Sequence, residues 1–255
     1  MLPKTDPMQL GGRTFLVTGA SAGIGRATAT VIASLGGRVI ASGRDKGRLE
    51  ETVEKLAGHG HGISAFDLGE MNEIPMWIKD ICRTFGPLNG LAHCAGIQLT
   101  QPIRQIDQQF FDQMMRTNLG SAIALARGFR QKGCNTTPAA MVFVASIAGL
   151  IGQPGNVAYA ASKGGLISAV RALAMELLRD DIRVNAVAPA LVETEMASRS
   201  RATMTAEQYQ YMLDQHPMGI GQPLDVAYPI AFLLSDASRW INAVTLPVEG
   251  GYLAR

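Results

Sequence analysis

Short apolar runs rich in Val, Ile and Phe recur at 14–19 (TFLVTG), 38–43 (RVIASG), 62–66 (GISAF), 88–96 (LNGLAHCAG), 141–146 (MVFVAS) and 183–189 (RVNAVAP). Longer helical patterns separate them. Strands covered by helices on both faces are nearly continuously apolar, so the alternation predicts βαβ units and an α/β fold on a doubly wound parallel sheet. Helices are expected over Arg26–Leu35, ended by Gly36 and Gly37, and over Lys46–Ala57, ended by Gly58. A third, Ser162–Arg179, carries few charges and should be buried on more than one side, where a partner subunit could cover it. The polar, methionine-bearing stretch 196–218 breaks the rhythm just beyond a strand end, and is read as a lid over a site. No linker, low-complexity tract or repeat divides the chain, so residues 1–255 are expected to form a single Rossmann-like domain.

Composition narrows the function classes. The chain has 255 residues and 23 basic against 21 acidic side chains, a formal charge of +2 with no basic block, which predicts no nucleic-acid partner. Cys82, Cys94 and Cys134 have neither the number nor the pairing of a disulfide framework or a zinc site. No segment approaches the ~18 uninterrupted apolar residues of a membrane span. The expectation is a soluble cytoplasmic protein with no membrane partner.

Thr18–Gly25 reads TGASAGIG between an apolar run and a helical pattern. Glycines there permit a tight turn, and a helix N-terminus offers unpaired N–H groups to a pyrophosphate, so the segment is read as a nucleotide loop. The second run ends Ser42-Gly43-Arg44-Asp45, where such a fold reads the adenosine ribose. Arg44 favours a 2′-phosphate, which a guanidinium pairs bidentately; Asp45 also satisfies the acidic residue expected ~20 positions on. NADP(H) is preferred and NAD(H) stays open.

Tyr159 and Lys163 stand four apart at the start of a helical pattern, on one face. A phenol is a poor acid-base at neutral pH, and a nearby ammonium favours its ionised form. Ser146 closes the fifth apolar run, at a strand edge facing the crevice, where its hydroxyl can donate to a carbonyl oxygen. Singly, each residue has a structural explanation. Together with a nucleotide loop they supply a cofactor site, an oxygen polariser and a proton source for carbonyl–alcohol redox chemistry.

With these motifs assembled, the sequence resembles the short-chain dehydrogenase/reductase family, in its branch of about 250 residues that includes the 3-oxoacyl-carrier-protein reductases. The matching segments are TGASAGIG at 18–25, Asp67-Leu68, HCAG at 93–96, Asn118 in RTNLG, Ser146 in VASIAG, YAASK at 159–163, VNAVAPALVET at 184–194 and VEGGY at 248–252. The resemblance implies that Tyr159 exchanges the proton with substrate, Lys163 binds the nicotinamide ribose and lowers the tyrosine pKa, Ser146 holds the carbonyl and Asn118 positions a relay water. It further implies cofactor contacts from Gly19, Ser21, Ile24, Arg44, Asp67, Leu68, Ala95, Gly96, Tyr159, Lys163, Val192 and Thr194, and a homotetramer. The apolar helix 162–179 and the apolar run 244–248 would serve the subunit interfaces. A catalytically silent dinucleotide sensor or scaffold of the same fold is the alternative, against which the complete Ser146, Asn118, Tyr159, Lys163 set argues.

Two departures stand out. His93-Cys94 replaces the family's usual pair of asparagines, removing an amide that stabilises neighbouring backbone, and Cys94 is read as a small packing residue. Ala190 stands where glycine is common after Pro189. His59 and His61 lack a third ligand, so no metal is predicted; His93 is expected in or beside the central strand, and His216 either touches substrate or caps a turn. Gln98, Leu150, Ile151, Gln153, Asn156 and Leu191 are expected around a small-molecule carbonyl or alcohol substrate, with sugar, keto ester, steroid and acyl thioester all open.

Overall fold

Seven parallel strands in the order β3-β2-β1-β4-β5-β6-β7 form the frame of the computed structural model, which describes residues 6–202 and 204–254. Both ends of the expected 1–255 domain, and Thr203 within the expected lid, lie outside the described residues. The strands are β1 (Thr14–Thr18), β2 (Arg38–Gly43), β3 (Gly62–Ala65), β4 (Leu88–His93), β5 (Asn135–Val144), β6 (Ile182–Pro189) and β7 (Thr245–Val248). The fold is the doubly wound α/β architecture that the alternation implied. Strand order reverses between β1 and β4, which opens a crevice at their C-terminal ends.

Alternation along β1 shows how the layers are set. Leu16 faces a core cluster that includes Ile78, Phe129 and Leu166, whereas Phe15 and Val17 face a second cluster with Ile32, Leu49 and Ile230. The first cluster is supplied by helices α3 (Ile74–Phe85), α5 (Ser121–Phe129) and α6 (Val157–Leu177). The second is supplied by α1 (Gly23–Ser34), α2 (Lys46–Val53) and α9 (Pro223–Leu234).

Several boundaries differ from the sequence expectation. Helix α1 begins at Gly23, three residues earlier than expected, and α2 stops at Val53, because Asp45 caps its start while only turns follow its end. The fifth strand begins at Asn135, since its solvent-exposed first residues lack the apolar signal of its buried half. Helix α6 runs from Val157 to Leu177, so Tyr159 lies in its first turn. The apolar run at the C-terminus forms β7, paired with β6 at the sheet edge. The expected lid is two short helices, α7 (Glu195–Arg201) and α8 (Ala206–Asp214), the latter held by a capping box between Thr205 and Gln208. No helix among the described residues is long and apolar enough to cross a membrane.

Candidate active site

The turn after β1 is shaped by two glycines that cannot be replaced without collision. Gly19 has φ +68°, and a Cβ on it would lie 2.8 Å from the backbone nitrogen of Ala95; one on Gly25 would lie 2.2 Å from the Gly19 carbonyl oxygen. Ala22 precedes α1 without any side-chain cap, so the first-turn N–H groups of this 12-residue helix have no capping side chain as acceptor. This is the donor set that a pyrophosphate requires. Arg26 braces the loop by donating to the Ser21 carbonyl at 2.6 Å and to Thr52 at 2.9 Å, and Thr52 donates to the Ala20 carbonyl at 3.0 Å. Sequence reasoning missed these two braces, which are ordinary helix residues until the tertiary contact is made.

Expected cofactor residues lie on the segments that follow β1, β2, β3 and β6. Gly43 lies against Ser21, a built Cβ falling 3.3 Å from its hydroxyl oxygen, which sets the exposed Arg44 beside the phosphate loop. Neighbouring Arg48 is instead paired with Glu195. Asp67 is exposed and its carboxylate accepts from the Gly69 N–H at 2.9 Å, while Leu68 is buried in the core. Val192 is buried and bridges to Gly221, and Thr194 accepts from the Ala197 N–H at 3.2 Å. The methyl of Thr194 comes within 3.1 Å of a built Cβ on Gly23, joining the loop after β6 to the loop after β1. A cavity of about 500 Å³ opens beyond this contact between α1 and α9, and none of Ser146, Tyr159 or Lys163 lines it.

Across the crevice four side chains converge from three elements. Tyr159 and Lys163 project from α6, with 9% and 4% exposure, and the ammonium nitrogen lies 5.9 Å from the phenol ring centroid. Lys163 donates to the carbonyl of Val144 at 2.8 Å. Ser146, two residues on from Val144, accepts from the Ala148 N–H at 3.2 Å, and its side chain acts to lower the Tyr159 pKa. Asn118 comes from a π-helical turn (Arg116–Gly120) between α4 (Gln108–Met115) and α5, and is fully buried. Its amide accepts from the Ile97 N–H at 2.9 Å and donates to the Ile97 carbonyl at 2.9 Å and to Ser162 at 3.0 Å. A Cβ on Gly96 would lie 3.1 Å from the Asn118 amide oxygen and 3.5 Å from the Lys163 nitrogen, so Gly96, Asn118 and Lys163 share one small space.

The charge balance differs from the sequence expectation. Burial raises the Tyr159 pKa, and the neighbouring Ser146 side chain offsets that only in part; the lowering expected from Lys163 is not the net result. The physical reason is that burial acts on both groups: it also pushes the Lys163 ammonium down to about 8.

The departures at His93 and Cys94 are accommodated. His93, the last residue of β4, bonds through Nδ1 to the Thr18 hydroxyl at 2.8 Å and through Nε2 to Ser121 at 3.3 Å, which replaces the missing amide. The Cys94 thiol packs beside Thr28, and burial pushes it up to about 12. Ala190 donates its backbone N–H to Val248 at 3.2 Å. His61 receives the Val39 N–H at 3.1 Å and is a structural residue, and no metal-binding cluster occurs among the described residues. His216 is buried and hydrogen-bonded to the backbone of Leu191 and Met212.

Comparison with known proteins places these features in context. Residues 19–253 match a family described as enoyl-(acyl carrier protein) reductase. A 3-oxoacyl-(acyl-carrier-protein) reductase from Vibrio cholerae is 31% identical over 245 residues, covering 96% of this chain and 98% of the relative. A candidate short-chain alcohol dehydrogenase from Sinorhizobium meliloti superposes with a TM-score of 0.89 at 32% identity, covering 98% of this chain and 99% of the other. A candidate NAD(P)-dependent gluconate 5-dehydrogenase from Beutenbergia cavernae, solved with bound NADP, gives a TM-score of 0.88 at 31% identity, covering 98% of this chain and 100% of the other.

Proposed function

The chain belongs to the short-chain dehydrogenase/reductase family and is an NAD(P)-dependent oxidoreductase, and on that premise we propose that it interconverts a ketone and a secondary alcohol with Tyr159 as general acid/base. The observation that carries this reading is the convergence of Ser146, Tyr159, Lys163 and Asn118 at the crevice.

The phosphate loop fits a dinucleotide, because its glycines admit close approach and the uncapped start of α1 offers donors. Gly19, Ser21 and Ile24 would hold the pyrophosphate region, Asp67 and Leu68 the adenine, and Ala95 and Gly96 the floor of the crevice. Tyr159 and Lys163 would hold the nicotinamide ribose, and Val192 and Thr194 the carboxamide. Arg44 would pair with a 2′-phosphate, so NADP(H) is the preferred form, with NAD(H) as the second. The neighbour from Beutenbergia cavernae, solved with NADP, supports that preference. When bound, the nicotinamide supplies or accepts the hydride.

Ser146 donates to the substrate oxygen and steadies the negative charge that develops there. Tyr159 gives that oxygen its proton in reduction and takes it back in oxidation. The raised pKa of the buried phenol keeps it protonated, the form a reductive step consumes. The Lys163 ammonium favours the phenolate left after transfer. Asn118 holds the water through which the proton is replaced. An assay of nicotinamide absorbance with both cofactors and a panel of ketones and alcohols tests the reading; dinucleotide binding without turnover across the panel contradicts it.

The chain is further proposed to act as one cytoplasmic domain assembled into a homotetramer. Exposed apolar side chains support the assembly: Val157 and Met175 on α6, Tyr228 on α9, and Trp240, which is 91% exposed.

A further inference from the structure

Loops leaving the C-terminal ends of four adjacent strands, β4, β5, β6 and β7, are tied together by side chains into one polar belt. After β4, the Thr100 hydroxyl donates to the Asn156 amide oxygen at 3.4 Å. After β5, Asn156 donates to the Gln153 amide oxygen at 3.0 Å, and Gln153 donates to the hydroxyl oxygen of Tyr252, in the turn after β7, at 3.3 Å. The Tyr252 ring rests on the His216 ring, centroids 4.9 Å apart. His216 in turn accepts the Leu191 N–H after β6 at 3.4 Å, and its other nitrogen donates to the Met212 carbonyl of α8 at 2.7 Å. Gln153 lies in the loop between Ser146 and the helix that carries Tyr159, so the belt runs from that loop to the end of α8.

The bonding capacity of the belt is unevenly used. Both His216 nitrogens are engaged, which makes it a clamp. Tyr252 accepts from Gln153 and keeps its own O–H without an acceptor among the described residues, and Gln153 keeps its second amide N–H likewise. The belt contains no charged side chain. A long aliphatic substrate laid against the belt would leave both donors unpaired, which costs binding, whereas a hydroxyl or carboxylate oxygen would satisfy them.

We propose that Gln153 and Tyr252 determine specificity by donating to an oxygen of the substrate remote from the reacting carbon, and that the substrate class is a short hydroxylated ketone or its polyol. The inference rests on the reading of the crevice as the carbonyl site.

The test compares erythrulose with butanone, which share a carbon skeleton, in the NADPH-loaded enzyme. The unaltered enzyme is expected to prefer erythrulose. Tyr252→Phe, which keeps the ring on His216, should lower kcat/KM for erythrulose about tenfold through KM, as loss of one hydrogen bond does. Turnover of butanone and KM for NADPH should not change, and Gln153→Leu should behave alike. A preference for butanone, an equal loss on both ketones, or no loss on erythrulose overturns the proposal. Turnover of neither ketone by the unaltered enzyme counts against the redox reading for this class; titration calorimetry of erythrulose into the NADPH complex then decides the binding claim, and equal affinity in the unaltered protein and Tyr252→Phe overturns it.

Discussion

The hydroxyl of Thr18 donates to Nδ1 of His93 across the β1–β4 pair at 2.8 Å. The rest of the chain fixes that direction: Ser121 donates its proton to the Thr117 carbonyl at 2.6 Å, so it accepts from Nε2–H, leaving Nδ1 as the lone pair. The link joins the residue before Gly19 to the helical turn that holds Asn118, and it requires a neutral imidazole.

Acid should therefore undo it. Burial and Lys163 lower the His93 pKa from 6.5 to about 3, so between those values the unfolded chain binds a proton that the folded one refuses. Stability is unaffected by this group above 6.5 and falls as pH drops below it, by about 1.4 kcal/mol per unit. In His93→Asn that slope should be missing. Thermal unfolding of both proteins from neutral pH down to about pH 4 checks this, and parallel curves contradict the assignment.

Lys163→Met should abolish turnover and yet raise stability at neutral pH. The folded ammonium titrates at about 8 and the unfolded one at 10.5, so burial is penalised fully below 8, and the penalty fades as pH rises towards 10.5. The variant should gain up to about 3 kcal/mol at pH 7, less whatever the lost bond to Val144 contributes, with the gap narrowing above pH 8. Denaturant titrations at several pH values measure it.

Tyr159→Phe should fold normally, since the ring stays packed with Met114 and Ala158. Its kcat should fall by at least about a hundredfold, the usual worth of a general acid/base. Substantial turnover in the folded variant would remove Tyr159 from the mechanism.

Gly19→Ala should lose dinucleotide binding, because the added methyl meets the Ala95 backbone at 2.8 Å in a left-handed conformation. Arg44→Ala should act differently, raising KM for NADPH about tenfold or more while sparing NADH. Steady-state kinetics with both cofactors separate the two outcomes.

Light scattering coupled to size exclusion should give the mass of four chains. Trp240→Glu, altering a side chain that is 91% exposed in the single chain, should shift the mass downward if that surface is buried in the assembly. A monodisperse monomer for the unaltered protein rules the tetramer out.

Much of the fold was legible in local patterns. The central strands are apolar because helices cover both faces, and the glycines of TGASAGIG mark a turn whose geometry no side chain permits, so strand, loop and helix could be read without contacts. The i,i+4 spacing of Tyr159 and Lys163 placed them on one helix face, since helix geometry is local. The exposed half of β5 gave no such signal, and β7 was too short and too lightly buried to be told from an interface run.

What those residues meet was fixed by the folded chain. The bracing of the phosphate loop by Arg26 and Thr52, the neutral tautomer of His93, the net rise in the Tyr159 pKa and the belt from Thr100 to His216 all join positions far apart in the chain. Which groups carry chemistry and where the backbone must turn could be read from residue order, because those follow from residue type and near neighbours. Burial and partner choice depend on which strand ends lie side by side, and the order of the sheet alone sets that.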